Sequence, residues 1–143
     1  MAIDMDAMLA KIKDRQWALA DIDWDAPGAE TIDDDFRPRL KAFMADLCWI
    51  ENIGARGFAA LAKKAPTPTI AEIYRYFHAE EQRHANAELA LMKRWGMLDD
   101  GEMPGRTNHV FAEESARGLY RRWAELLSCE TWAEVERREL ANR

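Results

Sequence analysis

Three side chains near the middle of the sequence are of the kind that binds metal ions: Glu51, Glu81 and His84. The last two belong to the run Glu81-Gln82-Arg83-His84. On a helix, that spacing lets a carboxylate and an imidazole reach one point. Such donors together suit iron or manganese, carboxylates bridging two ions and imidazole taking a terminal position. His78, one turn before Glu81 on its other flank, Glu88, two turns beyond it, and Tyr74 are further candidates, as added ligands or as partners of ligands. Each also has an ordinary reading: His78 as the partner of a Tyr or Glu, Glu88 as a polar neighbour, Tyr74 as core. Trp49 and Trp95 could join Tyr74 as redox-active neighbours of a metal, although helical spacing already accounts for all three as core. Glu80 falls off the ligand face and is expected in an outer position or at the surface.

Two helices must bring these residues together. The first is expected to open at the acidic run Thr31-Ile32-Asp33-Asp34-Asp35 and to end at Lys63-Lys64, charges that suit a helix start and a helix end. Ala65-Pro66-Thr67-Pro68-Thr69 closes it and opens the next, with Thr67 or Thr69 as N-cap and Pro68 in the first turn. The second helix runs to about Leu98, near Gly96 and Asp99-Asp100-Gly101. At about 100° per residue, Leu40, Met44, Leu47, Ala55, Phe58 and Ala62 lie within roughly 40° of Glu51. Asp46, Arg56, Lys63 and Lys64 fall opposite, on the expected outer side. Around Glu81 the same arc collects Ile70, Tyr74, Phe77, Ala85, Met92 and Trp95, while Glu72, Arg75, Arg83, Asn86, Lys93 and Arg94 face out. His84 is offset by only about 60° from Glu81. Both carboxylates therefore sit in apolar stripes, where they are costly unless paired or metal-bound. A short connection implies an antiparallel hairpin. Glu51 lies about 14 residues before the turn and Glu81 about 13 after it, so both arrive at one level, some 20 Å from the turn.

Glu51, followed about thirty residues later by Glu81-Gln82-Arg83-His84, resembles the half-site of the ferritin-like di-iron carboxylate superfamily. The stretch from Tyr74 to Ala85, together with Trp49-Ile50-Glu51, looks closest to its oxygenase and desaturase members. The resemblance covers roughly residues 35–98. It implies an all-α fold, a ferritin-like helical hairpin forming half of a four-helix bundle, with Glu51, Glu81 and His84 as ligands of iron, two ions per assembled site, or of manganese. A full site needs a second Glu and a second Glu-x-x-His. None follows Leu98, where His109 stands alone and the later glutamates are dispersed. The apolar stripes exceed what one hairpin and a thin amphipathic tail would cover. A homodimer completing the bundle by two-fold symmetry is therefore expected.

The rest of the sequence frames a single helical domain over 1–143. A helix is expected from about Asp4 to Ala20, the metal-site hairpin over 35–98, a loop at 99–110 and a helical tail at 111–143. A net charge of −6 and a pI near 5.1 argue against a nucleic-acid partner. No apolar run approaches the roughly 20 residues of a membrane span. Met1-Ala2-Ile3-Asp4-Met5-Asp6 has no basic stretch followed by an apolar one, so a cytoplasmic location is expected. Cys48 and Cys129 lack metal-site or disulfide-framework spacing, and Cys48 reads as a small buried hydrophobe. The leading expectation is an oxidoreductase or oxygenase using dioxygen or peroxide on a small organic substrate. A ferroxidase or iron-binding protein and a metal-free helical interaction module of the same fold are the alternatives.

Overall fold

The computed structural model describes residues 3–99, 101–104, 128, 129, 131, 133, 134 and 137. Among them there is helix and no strand, so the chain is all-α. Helix α1 spans Met5–Asp14, α2 Arg37–Lys64 and α3 Pro68–Arg94, with short 3-10 turns at Leu19–Asp21 and Ala29–Thr31. None of the described helices is long and apolar enough to cross a membrane. The tail expected over 111–143 lies almost wholly outside the described residues.

Helix α1 is capped by Asp4, whose carboxylate accepts from the backbone N–H groups of Asp6 and Ala7. It stops six residues short of the expected Ala20. The Gln16 amide donates to the carbonyl of Ile12 at 2.8 Å, and the Asp21 carboxylate accepts from Ala18 N–H at 2.7 Å. These side chains satisfy backbone groups that another helical turn would have used. Trp17 is thereby released toward α3.

Helix α2 starts at Arg37, later than the acidic run that was expected to form its first turn. Those acids instead precede it in a turn closed by Phe36 N–H and Arg37 N–H onto the Asp33 carbonyl. Pro38 stands in the first turn, where its missing N–H has no intrahelical partner to lose. Helix α3 opens as its sequence indicates: Thr67 Oγ1 accepts from Ile70 N–H at 3.2 Å, and Pro68 is the first helical residue. At its end Gly96 takes φ +65°, with Gly96 N–H on the Lys93 carbonyl and Met97 N–H on that of Met92. This Schellman geometry needs a left-handed residue that glycine adopts at little cost.

Helices α2 and α3 pack along their lengths as an antiparallel hairpin, while α1 lies against α3. Met44, Ala45, Cys48, Met92, Met97 and Leu98 form the main buried cluster, at the end where α2 begins and α3 finishes. Arg37 closes that end by donating to the Trp95 carbonyl. Near the interhelical turn, Phe58, Leu61 and Tyr74 pack with Cys129, and Phe77 meets the Phe58 ring edge-on at 5.2 Å.

One face of α2 differs from the expected pattern. Asp46, placed by periodicity on the outer side, is fully buried, as is its neighbour Ala45. The chain beyond α3 returns to α2 at several points. Glu102 pairs with Lys41 at 3.7 Å, the Pro104 carbonyl accepts from Trp49 Nε1 at 3.2 Å, and the Cys129 carbonyl accepts from Lys64. Periodicity separates the face toward α3 from its opposite, and cannot register a second cover arriving from distant sequence.

Candidate metal centre

The hairpin brings Glu51, Glu81 and His84 together. One donor atom from each lies within 4.8 Å of the others. His84 Nδ1 is 3.6 Å from Glu51 Oε2 and 3.4 Å from Glu81 Oε2. Ligands of one ion, at bond lengths of about 2.1 Å, stand roughly 3–4 Å apart, so small side-chain rotations would suffice to close on a cation. The Glu81 side chain lies against Gly54, where an added Cβ would stand 3.5 Å from its carboxyl carbon.

The cluster is short of positive charge. Burial, then the hydrogen bond and negative charge of Glu81, with a further contribution from Glu88, raise the Glu51 carboxyl to about 8. Near neutrality the Glu51 carboxyl therefore keeps its proton, beside the Glu81 carboxyl to which it is hydrogen-bonded. Burial also raises Glu88; a hydrogen bond from Cys48 and the charge of His84 work the other way, and the charge of Glu81 adds to the rise. Cys48 is pushed up to about 12, by burial first and then by the charge of Glu88 and the hydrogen bond to it. Its thiol is thus a neutral, inert donor, in line with its small-hydrophobe reading. Glu88 Oε2 is buried without a hydrogen-bond partner among the described residues. A buried orphan oxygen beside two carboxyls and an imidazole is what a carboxylate site for a hard or borderline cation leaves when metal-free. The residues present fit such an ion.

The other candidates separate. His78 Nδ1 lies 2.8 Å from the Ala55 carbonyl and is tied to the α2 backbone, outside the three-residue cluster. Tyr74 belongs to the aromatic group with Phe58 and Phe77, its ring centroid 6.0 Å from that of Phe58. Glu88 stands beside the cluster as an electrostatic neighbour.

Glu80, expected in an outer position, has a defined role in the surroundings of His84. Its Oε1 is 3.5 Å from His84 Nε2, on the far side of the ring from the cluster. Trp17 Nε1–H donates to the same oxygen, and Arg83 pairs with the other. The Trp17 ring stacks on the imidazole, with centroids 5.9 Å apart and planes at 22°. Burial works to raise the Glu80 carboxyl, but the hydrogen bonds from Trp17 and Arg83 and the charges of Arg83 and His84 hold it below its ordinary value. The i, i+4 spacing of Glu80 and His84 was a local signal for this contact. Trp17, far away in sequence, offered none.

A cavity of about 260 Å³ lies on the opposite flank of the hairpin, lined by Cys48, Trp49, Asn52, Arg56, Asn86 and Leu89 among others. Asn52 and Gln82, which follow Glu51 and Glu81 in sequence, hydrogen-bond at 3.2 Å across the two helices on that flank.

Fold and site thus define an all-α hairpin with a Glu–Glu–His cluster that could hold a metal ion. No family model matches the sequence, and no solved structure matches it. Among curated proteins, it is similar to the biphenyl 2,3-dioxygenase subunit alpha of Rhodococcus jostii, 28% identical over 121 residues, 84% of this chain and 23% of that protein. It is likewise similar to the chlorobenzene dioxygenase subunit alpha of a Cupriavidus species, 28% identical over 118 residues, 82% of this chain and 23% of that one. A third relative is the benzene 1,2-dioxygenase subunit alpha of Pseudomonas putida, 30% identical over 118 residues, 81% of this chain and 23% of that one. The chain spans about a quarter of the length of these relatives.

Proposed function

We propose that this chain is a ferritin-like di-iron protein acting as an oxidoreductase that uses dioxygen or peroxide on a small organic substrate. The observation that carries the reading is the meeting of Glu51, Glu81 and His84 at one level of the α2–α3 interface, where burial and the neighbouring Glu81 carboxyl raise Glu51. Iron would supply the redox chemistry for activating the oxidant; manganese fits the same donors. The protein's own part is to hold the ligands, exclude bulk water on the packed side and surrender the Glu51 proton when a cation enters. The similarity to dioxygenase subunits supports oxygenation over other oxidations, and aromatic compounds are the first substrate class to test.

The reading includes a homodimer. One hairpin offers one Glu and one Glu-x-x-His, and a two-fold axis would duplicate both. Phe36 and Phe43 are 50% and 47% exposed, and they continue at seven-residue spacing to half-buried Ile50, the residue before Glu51. A second copy on that strip would bury the apolar surface and close the open side of His84, whose side chain is 41% exposed.

The test is metal analysis and light scattering of full-length protein refolded with Fe(II) or Mn(II), beside Glu81→Ala. The expected result is a dimer with about one metal per chain, the metal lost in the variant. Wild-type protein that retains no metal would sink the reading in favour of a metal-free helical module. Fe(II) oxidation without turnover of any organic substrate would move it to a ferroxidase.

A further inference from the structure

The side chains behind His84 are more highly organised than docking of α1 requires. Glu80 Oε1 faces His84 Nε2 at 3.5 Å, while Nδ1 faces Glu51 and Glu81. Glu80 is itself held at both oxygens, by the Trp17 indole N–H and by the Arg83 guanidinium. Arg83 is fixed in turn: it lies 5.6 Å over the Trp17 ring and donates to Gln16 Oε1 at 2.7 Å. Trp17 closes the circle by stacking on the imidazole.

We infer that Glu80, gripped by Trp17 and Arg83, is a positioning residue that holds the His84 ring with Nδ1 as the metal-binding atom. The inference rests on the metal reading above. A neutral imidazole has one protonated and one free nitrogen, and only the free one binds metal. An acceptor fixed at Nε2 favours the tautomer with its proton there, leaving the Nδ1 lone pair toward the carboxyls and making it more basic. The Glu81 carboxylate, in hydrogen-bond contact with Nδ1 at 3.4 Å, competes for the proton, and with the Glu80 oxygen removed from Nε2 it would hold the proton on the ligand atom. Trp17 and Gln16 lie beyond the end of α1, so ligand orientation inside the hairpin depends on a segment outside it.

Full-length wild-type, Glu80→Ala and Glu80→Gln proteins with ¹⁵N-labelled histidine decide the matter, with Zn(II) as a diamagnetic probe. Affinity is read by chelator competition, and the zinc-bound nitrogen by long-range ¹H–¹⁵N correlation. His78 and His109 are the other histidines and serve as internal references. Wild-type protein is expected to bind zinc through Nδ1 of His84, with Nε2 protonated. In Glu80→Ala, affinity should fall about 10- to 100-fold and the Nδ1 signature should be lost or mixed. Glu80→Gln keeps a carbonyl acceptor at the same place and should retain Nδ1 binding within about tenfold of wild type. A purely structural role for the clamp would change stability without changing the bound nitrogen. Nδ1 binding at wild-type affinity in Glu80→Ala overturns the inference and leaves the metal reading standing. So does a Glu80→Gln protein as impaired as Glu80→Ala, because charge would then be the cause. Wild-type protein that binds no zinc overturns both.

Discussion

Changing Glu51 to Gln in the metal-free protein measures what the carboxyl pair costs. The Glu51 carboxyl moves from 4.5 to about 8 on folding, through burial first, then the hydrogen bond and charge of Glu81, then the charge of Glu88. An acid whose folded pKa lies above its unfolded one keeps its proton longer when folded. Folded stability is therefore lost as the pH climbs from 4.5 to about 8 and levels off above it. At about 1.4 kcal/mol per pH unit, the full displacement amounts to roughly 5 kcal/mol. The Glu51 side chain is 20% exposed, and solvent screening lowers the expected effect to about 2 kcal/mol. Glutamine keeps the shape and can donate to Glu81 as the protonated acid does, yet never ionises. Urea unfolding of both metal-free proteins at about pH 5 and about pH 8.5 should show Glu51→Gln gaining about 2 kcal/mol on wild type across the interval. Groups remote from the cluster contribute equally to both proteins, so the difference reports Glu51 together with its coupling to Glu81 and Glu88. Parallel pH dependences would refute the reasoning, because they would mean that Glu51 ionises in the folded protein as freely as in the unfolded chain.

The same proton predicts how metal binding responds to pH. Affinity for Mn(II), followed by the paramagnetic resonance of the free ion, should rise about tenfold per pH unit below about 8 and flatten above it, as Glu51 no longer has a proton to release. An affinity independent of pH over that interval would show that metal entry releases no proton, so that Glu51 is either ionised beforehand or not a ligand. In the hairpin core, Met92 is fully buried against Met44, Cys48 and Met97, and Met92→Ala should cost about 3 kcal/mol in urea unfolding. A cost below about 1 kcal/mol would mean that this end of the hairpin closes readily over the gap.

The hairpin and its three cluster residues were legible because both rest on local rules. Periodicity put Glu51 and Glu81 in apolar stripes, and equal distances from a short turn put them level; the structure brings their donor atoms within 4.8 Å of His84. Thr67 and Pro68 marked the start of α3 for reasons contained in four residues. What escaped depends on distant chain. Asp46 looked solvated because its face carries Arg56, Lys63 and Lys64, yet it alone of the four is fully buried. Trp17 looked like one more residue of α1 until two side-chain bonds ended the helix before it. Glu80 was the intermediate case. Its offset from the ligand face was read correctly, but that offset is what carries it to the outer nitrogen of His84.

These misses bear on how the proposed site would work. A metal site needs ligands stiff enough to bind and an opening wide enough for a cation to enter, and one short hairpin cannot easily supply both. Here the demands fall on opposite sides of His84. Behind the ring, Trp17, Glu80 and Arg83 form a closed circuit of contacts, whose rigidity comes from outside the hairpin. Toward the cluster, the Glu51 carboxyl keeps its proton and hydrogen-bonds Glu81, which spares the metal-free protein part of the cost of burying two like charges. A proton is small and leaves readily, so its replacement by a metal ion needs no large rearrangement of the helices. The apolar strip of Phe36, Phe43 and Ile50 runs along α2 beside the cluster. A second copy docking there would face Glu51 and Glu81 with carboxyls of its own, and without metal their charges would oppose the contact. Under the proposed function, metal entry and closure of the dimer therefore favour each other, and light scattering should find the dimer weaker in chelator than in Mn(II).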